Sequence, residues 1–231
     1  MNEQQVMTGD FCFEAVIFDM DGTVIDSINA DFLAWQKLFG DYGKTLSFDN
    51  YIPLLGIRSF YVASKFLPLK SEEDLNDALA KKLVYFREVV EENGINSIPY
   101  VDEFIKKLKE YRIPLALATS SRRAKMKMVM EKVGLLSFFD VIVAGEDVTN
   151  GKPAPEIFLK AASMLNVVPQ HCVVFEDAAN GVKAAKKASM KCVAIASEIT
   201  RGFLDEADVI IDSFKNLEAE NLCSLLRKIP A

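Results

Sequence analysis

The residues of this chain that could do chemistry stand in four clusters, each at the end of an apolar run or of the polar loop that follows one. Phe13-Glu14-Ala15-Val16-Ile17-Phe18 leads into Asp19-Met20-Asp21-Gly22-Thr23, where two carboxylates lie one residue apart. Such a pair repels itself unless a cation or a proton shares its site. Leu115-Ala116-Leu117-Ala118 ends in Thr119-Ser120-Ser121, the polar loop Gly145 to Gly151 leads into Lys152-Pro153, and Cys172-Val173-Val174-Phe175 ends in Glu176-Asp177. Taken singly, each is ordinary: a solvated turn, a strand-end hydroxyl, a surface ammonium, an acidic loop. Taken together, four carboxylates face one ammonium, an arrangement that needs a divalent cation. Oxygen-only ligands with room for water suit Mg²⁺ and not zinc. With Lys152 and the Thr119 hydroxyl, such a metal makes a receptor for a phosphate dianion, and main-chain N–H groups near Met20 to Gly22 and Ser120 add to it. Asp19 then attacks phosphorus to give an aspartyl phosphate, while Asp21 protonates the leaving oxygen and later deprotonates water.

For these clusters to meet, their apolar runs must be neighbouring strands of one parallel sheet, where ligands bind outside the carboxyl ends. The pattern agrees. From Pro99 onward helices and strands alternate: helices over 101–111, 125–133, 156–165 and 182–188, and strands over 114–118, 139–144, 172–175, 191–196 and 209–211. That alternation implies right-handed βαβ units. Between the first strand and Pro99 no strand is evident. Phe32, Trp35, Leu38 and Phe39 recur at helical spacing, and Ser71 followed by Glu72-Glu73-Asp74 is a capped helix start. Leu75 to Glu92 continues that helix to the C-cap chemistry of Asn93-Gly94. The spacing predicts an α/β fold, a Rossmann-like parallel sheet core (1–27 and 98–231) with an inserted helical-bundle cap (28–97).

The 231 residues suffice for a sizeable core, and half of them are hydrophobic. A net charge of −6 argues against a nucleic-acid partner. No apolar run approaches the ~20 residues of a membrane span, and residues 1–10 lack the basic start and apolar centre of a secretory leader. The expected address is the cytoplasm, and the default assembly a monomer. Cys12, Cys172, Cys192 and Cys223 are scattered, so neither a disulfide framework nor a zinc site is expected, and the three that sit in apolar strand or helix patterns read as small buried hydrophobes. The one histidine, His171, reads as a surface residue, which removes Ser-His and Cys-His nucleophile schemes.

In order, spacing and strand context, Asp19-Met20-Asp21-Gly22-Thr23, Thr119, Lys152 and Glu176-Asp177 resemble the four motifs of the haloacid dehalogenase superfamily. The resemblance covers nearly the whole chain. It implies Asp19 as nucleophile, Asp21 as general acid/base, and Mg²⁺ held by Asp19, the Asp21 main-chain carbonyl and Asp177, with Glu176 nearby or ligating. It also implies that the helical insertion is a mobile cap. Lys152-Pro153-Ala154-Pro155-Glu156 and Phe175-Glu176-Asp177-Ala178 are similar to β-phosphoglucomutases and related small-sugar phosphatases. Gly56-Ile57-Arg58 resembles their cap loop, whose arginine grips the substrate's distal end, with Gly56 and Ser120 as further substrate contacts. One departure stands out: Asp31 occupies the register where the mutases carry a histidine that couples closure to proton transfer. That favours hydrolysis of a small sugar or polyol phosphate over mutase activity, with pyrophosphatase activity as a further alternative. Lys81 or Lys82 stands near a mutase cap lysine, though both read as a solvated helix face. A phospho-accepting receiver module shares strand-end acids, a Thr and a Lys, but carries its aspartate on a later strand and has no helical insertion.

Overall fold

A computed structural model describes residues 11–227, so the expectation drawn from residues 1–10 lies outside the described residues. The chain runs β1 (Ala15–Phe18), α1 (Ile28–Asp41), α2 (Phe48–Tyr51), α3 (Ser59–Phe66), α4 (Glu72–Asn93), α5 (Val101–Glu110), β2 (Leu115–Ala118), α6 (Arg123–Lys132) and β3 (Val141–Val143). It continues with α7 (Glu156–Met164), β4 (Cys172–Glu176), α8 (Ala179–Lys187), β5 (Lys191–Ile195), β6 (Val209–Ile211) and α9 (Ala219–Arg227). The six strands form one sheet in the order β3-β2-β1-β4-β5-β6, and every pairing is parallel. The order reverses between β1 and β4, the place where open parallel sheets hold their ligands.

Period-2 alternation divides β1 between two cores. Val16 and Phe18 face one layer with Leu115, Leu117, Phe104 and Phe175, and Phe18 stacks on Phe175 at 5.0 Å between ring centroids. Ala15 and Ile17 face the other with Ala116, Ala118, Ile157 and Phe158. The inserted helices build a third apolar cluster from Trp35, Leu38, Phe39, Val62, Leu75 and Leu79, with α1 against α4 at its centre. The expected start of α4 is seen in detail: the Ser71 side chain accepts from Asp74 N at 3.0 Å.

Three features depart from the sequence reading. The closing helix α9 was not anticipated; it buries Leu222 and Leu226 against the core that also holds α5. Cys12 and Cys223 form a disulfide, contrary to the expectation of four unlinked thiols, because α9 brings Cys223 beside the lead-in to β1 across 211 residues of sequence. Lys82 is buried, whereas Lys81 lies on the solvated face expected of both. His171 is exposed, with its Nδ1 2.7 Å from Glu14 Oε1. Among the described residues no helix is long and apolar enough to cross a membrane.

Candidate active site

Because β1 lies between β2 and β4, its last residue emerges flanked by theirs. Asp19 N donates to Phe175 O (2.9 Å) and Thr119 N to Val143 O (2.9 Å), so both residues continue the sheet ladder to its carboxyl rim. The chain then turns back at once, with Val24 N and Ile25 N both donating to Met20 O. Gly22 makes this turn possible: its φ is +84°, and a Cβ there would lie 2.0 Å from Asp177 Oδ2.

The rim gathers the expected acids around one buried ammonium. Lys152 Nζ donates to Asp19 Oδ1, to Glu176 Oε1 (2.5 Å) and, at 3.4 Å, to Ala118 O. Burial alone would lower the Lys152 pKa, but the carboxylates of Asp19 and Glu176 outweigh it and hold the ammonium charged. Glu176 Oε2 accepts from the main-chain N–H groups of Asp177 (3.0 Å) and Ala178 (3.1 Å), so both its oxygens are spent on fixing the lysine and the turn.

Asp177 has no ammonium; its one side-chain hydrogen bond among the described residues comes from Thr23 Oγ1 at 3.3 Å. Burial, with Glu176 and Asp19 adjacent, pushes the Asp177 pKa well up, and burial raises that of Asp19 to about 8 despite Lys152. Asp19, Glu176 and Asp177 each offer a carboxylate oxygen within 4.8 Å of the others. Hard oxygen donors, buried and short of positive charge, fit a divalent cation. The Asp21 side chain is not part of this cluster, which leaves only its main-chain carbonyl for the ligand role that the resemblance implies.

The Asp21 carboxylate instead faces the inserted helices. Its Oδ1 accepts from Ser27 Oγ and from Lys125 Nζ (2.7 Å), and its Oδ2 from Ser121 Oγ (2.5 Å). Lys125 also donates to Asp31 Oδ1 (2.7 Å), an atom shared with Lys82 Nζ, while Tyr51 Oη donates to Asp31 Oδ2 (3.0 Å). Burial would raise the Asp31 pKa, but the two ammoniums hold it far below the usual carboxylate range. Sequence reasoning marked Asp31 as a departure but missed Lys125, Ser27, Ser121 and Tyr51. One signal was available for Lys125. Arg122, Arg123 and Lys125 crowd the N-terminus of α6, where cations oppose the helix dipole. Carboxylates must meet them, and do: Arg122 pairs with Glu146, Arg123 with Asp147, and Lys125 with Asp21 and Asp31.

A cavity of about 50 Å³ lies between the rim and the inserted helices, lined by Asp19, Asp21, Thr119, Ser120, Asp177 and Lys125 below and by Ile28, Trp35, Leu54, Ile57 and Val62 above. At ~10–15 Å³ per water centre it holds a few waters. Three sets of contacts join the inserted segment to the core beside it: Ser120 Oγ donates to Gly56 O (2.6 Å), Asn180 Nδ2 to Leu55 O (3.0 Å), and Arg58 to the carbonyls of Gly145, Val148 (2.7 Å) and Thr149 (2.9 Å). Gly56 thus lines the cavity as expected, with a φ of +77°. Arg58 does not line it: its guanidinium is directed to the 145–149 loop.

A parallel α/β sheet whose strand-end acids and lysine meet beside inserted helices defines a class of phosphotransferases and hydrolases. The family model described as "Haloacid dehalogenase-like hydrolase" matches residues 16–195, and the chain belongs to this family. The phosphorylated carbohydrates phosphatase of Thermotoga maritima is 38% identical over 187 residues, 77% of this chain and 82% of that protein. The fructose-1-phosphate phosphatase YqaB of Escherichia coli is 33% identical over 181 residues, 78% and 95% of the two chains. The crystal structure of β-phosphoglucomutase from Clostridium difficile superposes with a TM-score of 0.83 at 28% identity, covering 94% of this chain and 98% of that one.

Proposed function

We propose that this protein is a Mg²⁺-dependent phosphatase that hydrolyses a small sugar or polyol phosphate through an aspartyl phosphate on Asp19. The observation that carries the reading is the division of labour between the two aspartates. Asp19 lies on the buried acid cluster with Lys152, whereas Asp21, two residues on, points into the cavity where a leaving oxygen would sit. A bound Mg²⁺ would neutralise the acids and polarise the phosphoryl oxygens. Asp19 and Asp177 would hold it, with the Asp21 carbonyl. Glu176 acts through Lys152, fixing the ammonium that screens Asp19 from an incoming dianion. The Thr119 hydroxyl, which accepts from Ser121 N (3.0 Å), and the Ser120 main-chain N–H receive the phosphoryl oxygens. Asp21, held by Ser27, Ser121 and Lys125, passes a proton to the leaving oxygen and then takes one from water. Residues 28–97 act as a cap over a core of 1–27 and 98–231, and the narrow cavity between them supports a cap that moves to admit substrate. Relatives named as phosphatases of phosphorylated carbohydrates support the substrate class, and Asp31 in place of a histidine favours water over a returning sugar phosphate.

The test is phosphate release from a metabolite panel, with and without Mg²⁺. Asp19→Asn should abolish turnover with the circular dichroism spectrum unchanged, the swap being near-isosteric. Asp21→Asn should cut kcat on sugar phosphates by about 10²–10⁴-fold, and far less on p-nitrophenyl phosphate, whose leaving group needs no proton. Equal losses on both would remove Asp21 from its role. Conversion of β-glucose 1-phosphate without phosphate release would make the protein a mutase.

A further inference from the structure

Two adjacent cap residues point to opposite sides of the same loop. Ile57 lines the cavity, whereas Arg58 turns away and spends its guanidinium on three main-chain carbonyls of the 145–149 loop. The cap side of the cavity is therefore mostly apolar, made by Ile28, Trp35, Leu54, Leu55, Ile57 and Val62, and of its polar members Asp31 and Tyr51 are bonded to each other. Lys125 is the one cation among the residues lining the cavity, and it is already shared between Asp21 and Asp31 at 2.7 Å each. Lys82, behind it, is bonded to Asp31.

The charges around the cavity sharpen the point. Asp19, Asp21, Asp31, Glu176 and Asp177 are offset by Lys82, Lys125 and Lys152, all three lysines buried. One divalent cation brings these groups to formal neutrality, and one phosphate dianion is then the only surplus charge. A second anion on the substrate would add to that surplus while facing an apolar wall with no free donor cation, and desolvating an unpaired charge is costly. A neutral polyol or sugar suffers neither penalty: its C–H face suits the wall, and its hydroxyls can reach Ser59, which also lines the cavity.

We propose that the cap wall makes this enzyme selective for monophosphates whose leaving group carries no second anion, with Ile57 as a specificity-determining residue. The inference rests on the phosphatase reading above and narrows its substrate class. Matched pairs test it: fructose 1-phosphate against fructose 1,6-bisphosphate, and glycerol 3-phosphate against 3-phosphoglycerate, with p-nitrophenyl phosphate as reference. The neutral member of each pair should have a kcat/KM higher on the order of 100-fold, equivalent to ~2.7 kcal/mol. Calorimetric binding of the same pairs to the Asp19→Asn protein with Mg²⁺ should favour the neutral member at least about tenfold. Ile57→Arg should narrow both ratios by about tenfold or more. Equal or better turnover and binding of the bisphosphate or the carboxylate would overturn the proposal, and ratios unmoved by Ile57→Arg would remove Ile57 from it. Failure to release phosphate from every compound, the aryl phosphate included, would instead sink the phosphatase reading, while the binding ratios would still judge the wall.

Discussion

Lys125 shows how a single side chain can join two parts of a fold. It leaves α6 beneath the sheet rim, is almost wholly buried, and holds Asp21 of the β1 loop and Asp31 of α1 at equal distances. Burial would lower its pKa, and the two carboxylates reverse that shift. Removing one member of a buried ion cluster leaves its partners undercompensated, which costs about 3–5 kcal/mol where no other donor remains. Here Asp21 keeps two serine hydroxyls, and Asp31 keeps Lys82 and Tyr51. Lys125→Met should therefore destabilise by about 2–3 kcal/mol, below that range. Asp31→Asn in the same chain should restore part of the loss, giving a coupling energy of about 1–3 kcal/mol in a double-mutant cycle by urea denaturation. Additive losses would mean that the two groups do not act as a pair. In the sequence the lysine reads as the start of a helix over 125–133. Nothing local says that the first turn of α6 faces the end of β1, since that depends on strand order, and strand order is a long-range property.

At the scale of elements, what the sequence displayed was whatever repeats locally. Three apolar runs ended by chemistry became β1, β2 and β4, the polar loop before Lys152 follows β3, and the capped, acidic start of α4 fell within one residue of its expected place. What stayed hidden was set by packing between distant segments. Leu222, Cys223 and Leu226 give α9 too short an apolar stripe to stand out, and Arg58 sits where a substrate-gripping arginine would. Its three carbonyl contacts make it a clasp between the α3 start and the 145–149 loop. Arg58→Ala should thus lower kcat/KM on sugar phosphates and on p-nitrophenyl phosphate alike, by about tenfold, the worth of one or two charge-assisted hydrogen bonds. A loss confined to sugar phosphates would show that the guanidinium reads substrate. The far edge of the sheet offers a separate test. Asp208 joins β6 to β5 by accepting from Cys192 N (2.8 Å), Lys186 and Lys191 (3.0 Å). Burial works against it, but these donors hold its pKa below the ordinary value. A depressed carboxylate stabilises the fold fully above its unfolded value near ~3.9 and loses that contribution as pH falls through the folded value. Asp208→Asn should cost about 1–3 kcal/mol at pH 7 and progressively less as pH falls below ~3.9, so the stability curves of the two proteins should converge in acid.

Across the whole molecule, two linkages hold together what the sequence separates widely. The Cys12–Cys223 bridge ties the lead-in of β1 to α9. By loop closure it should contribute about 2–5 kcal/mol, read as a lower thermal midpoint for Cys12→Ser/Cys223→Ser with phosphate release unchanged. The acid cluster is the opposite case, a stress that the fold carries in order to bind. Asp177 is buried against Glu176 and Asp19 with, among the described residues, only the Thr23 hydroxyl to satisfy it, so without a cation the ionised form is disfavoured. Asp177→Asn removes that stress, and the metal-free variant should melt at or above the temperature of the parent protein. Mg²⁺ should reverse the ranking. At 100 times its Kd a ligand that binds only the native state adds ~2.7 kcal/mol, which for a chain of this size is about 5–10 °C. The parent should gain that increment, and Asp177→Asn should gain little of it. If Mg²⁺ raised the midpoint of both proteins equally, the cation would be bound elsewhere, and Asp19 would lack the charge that lets it meet a phosphate dianion.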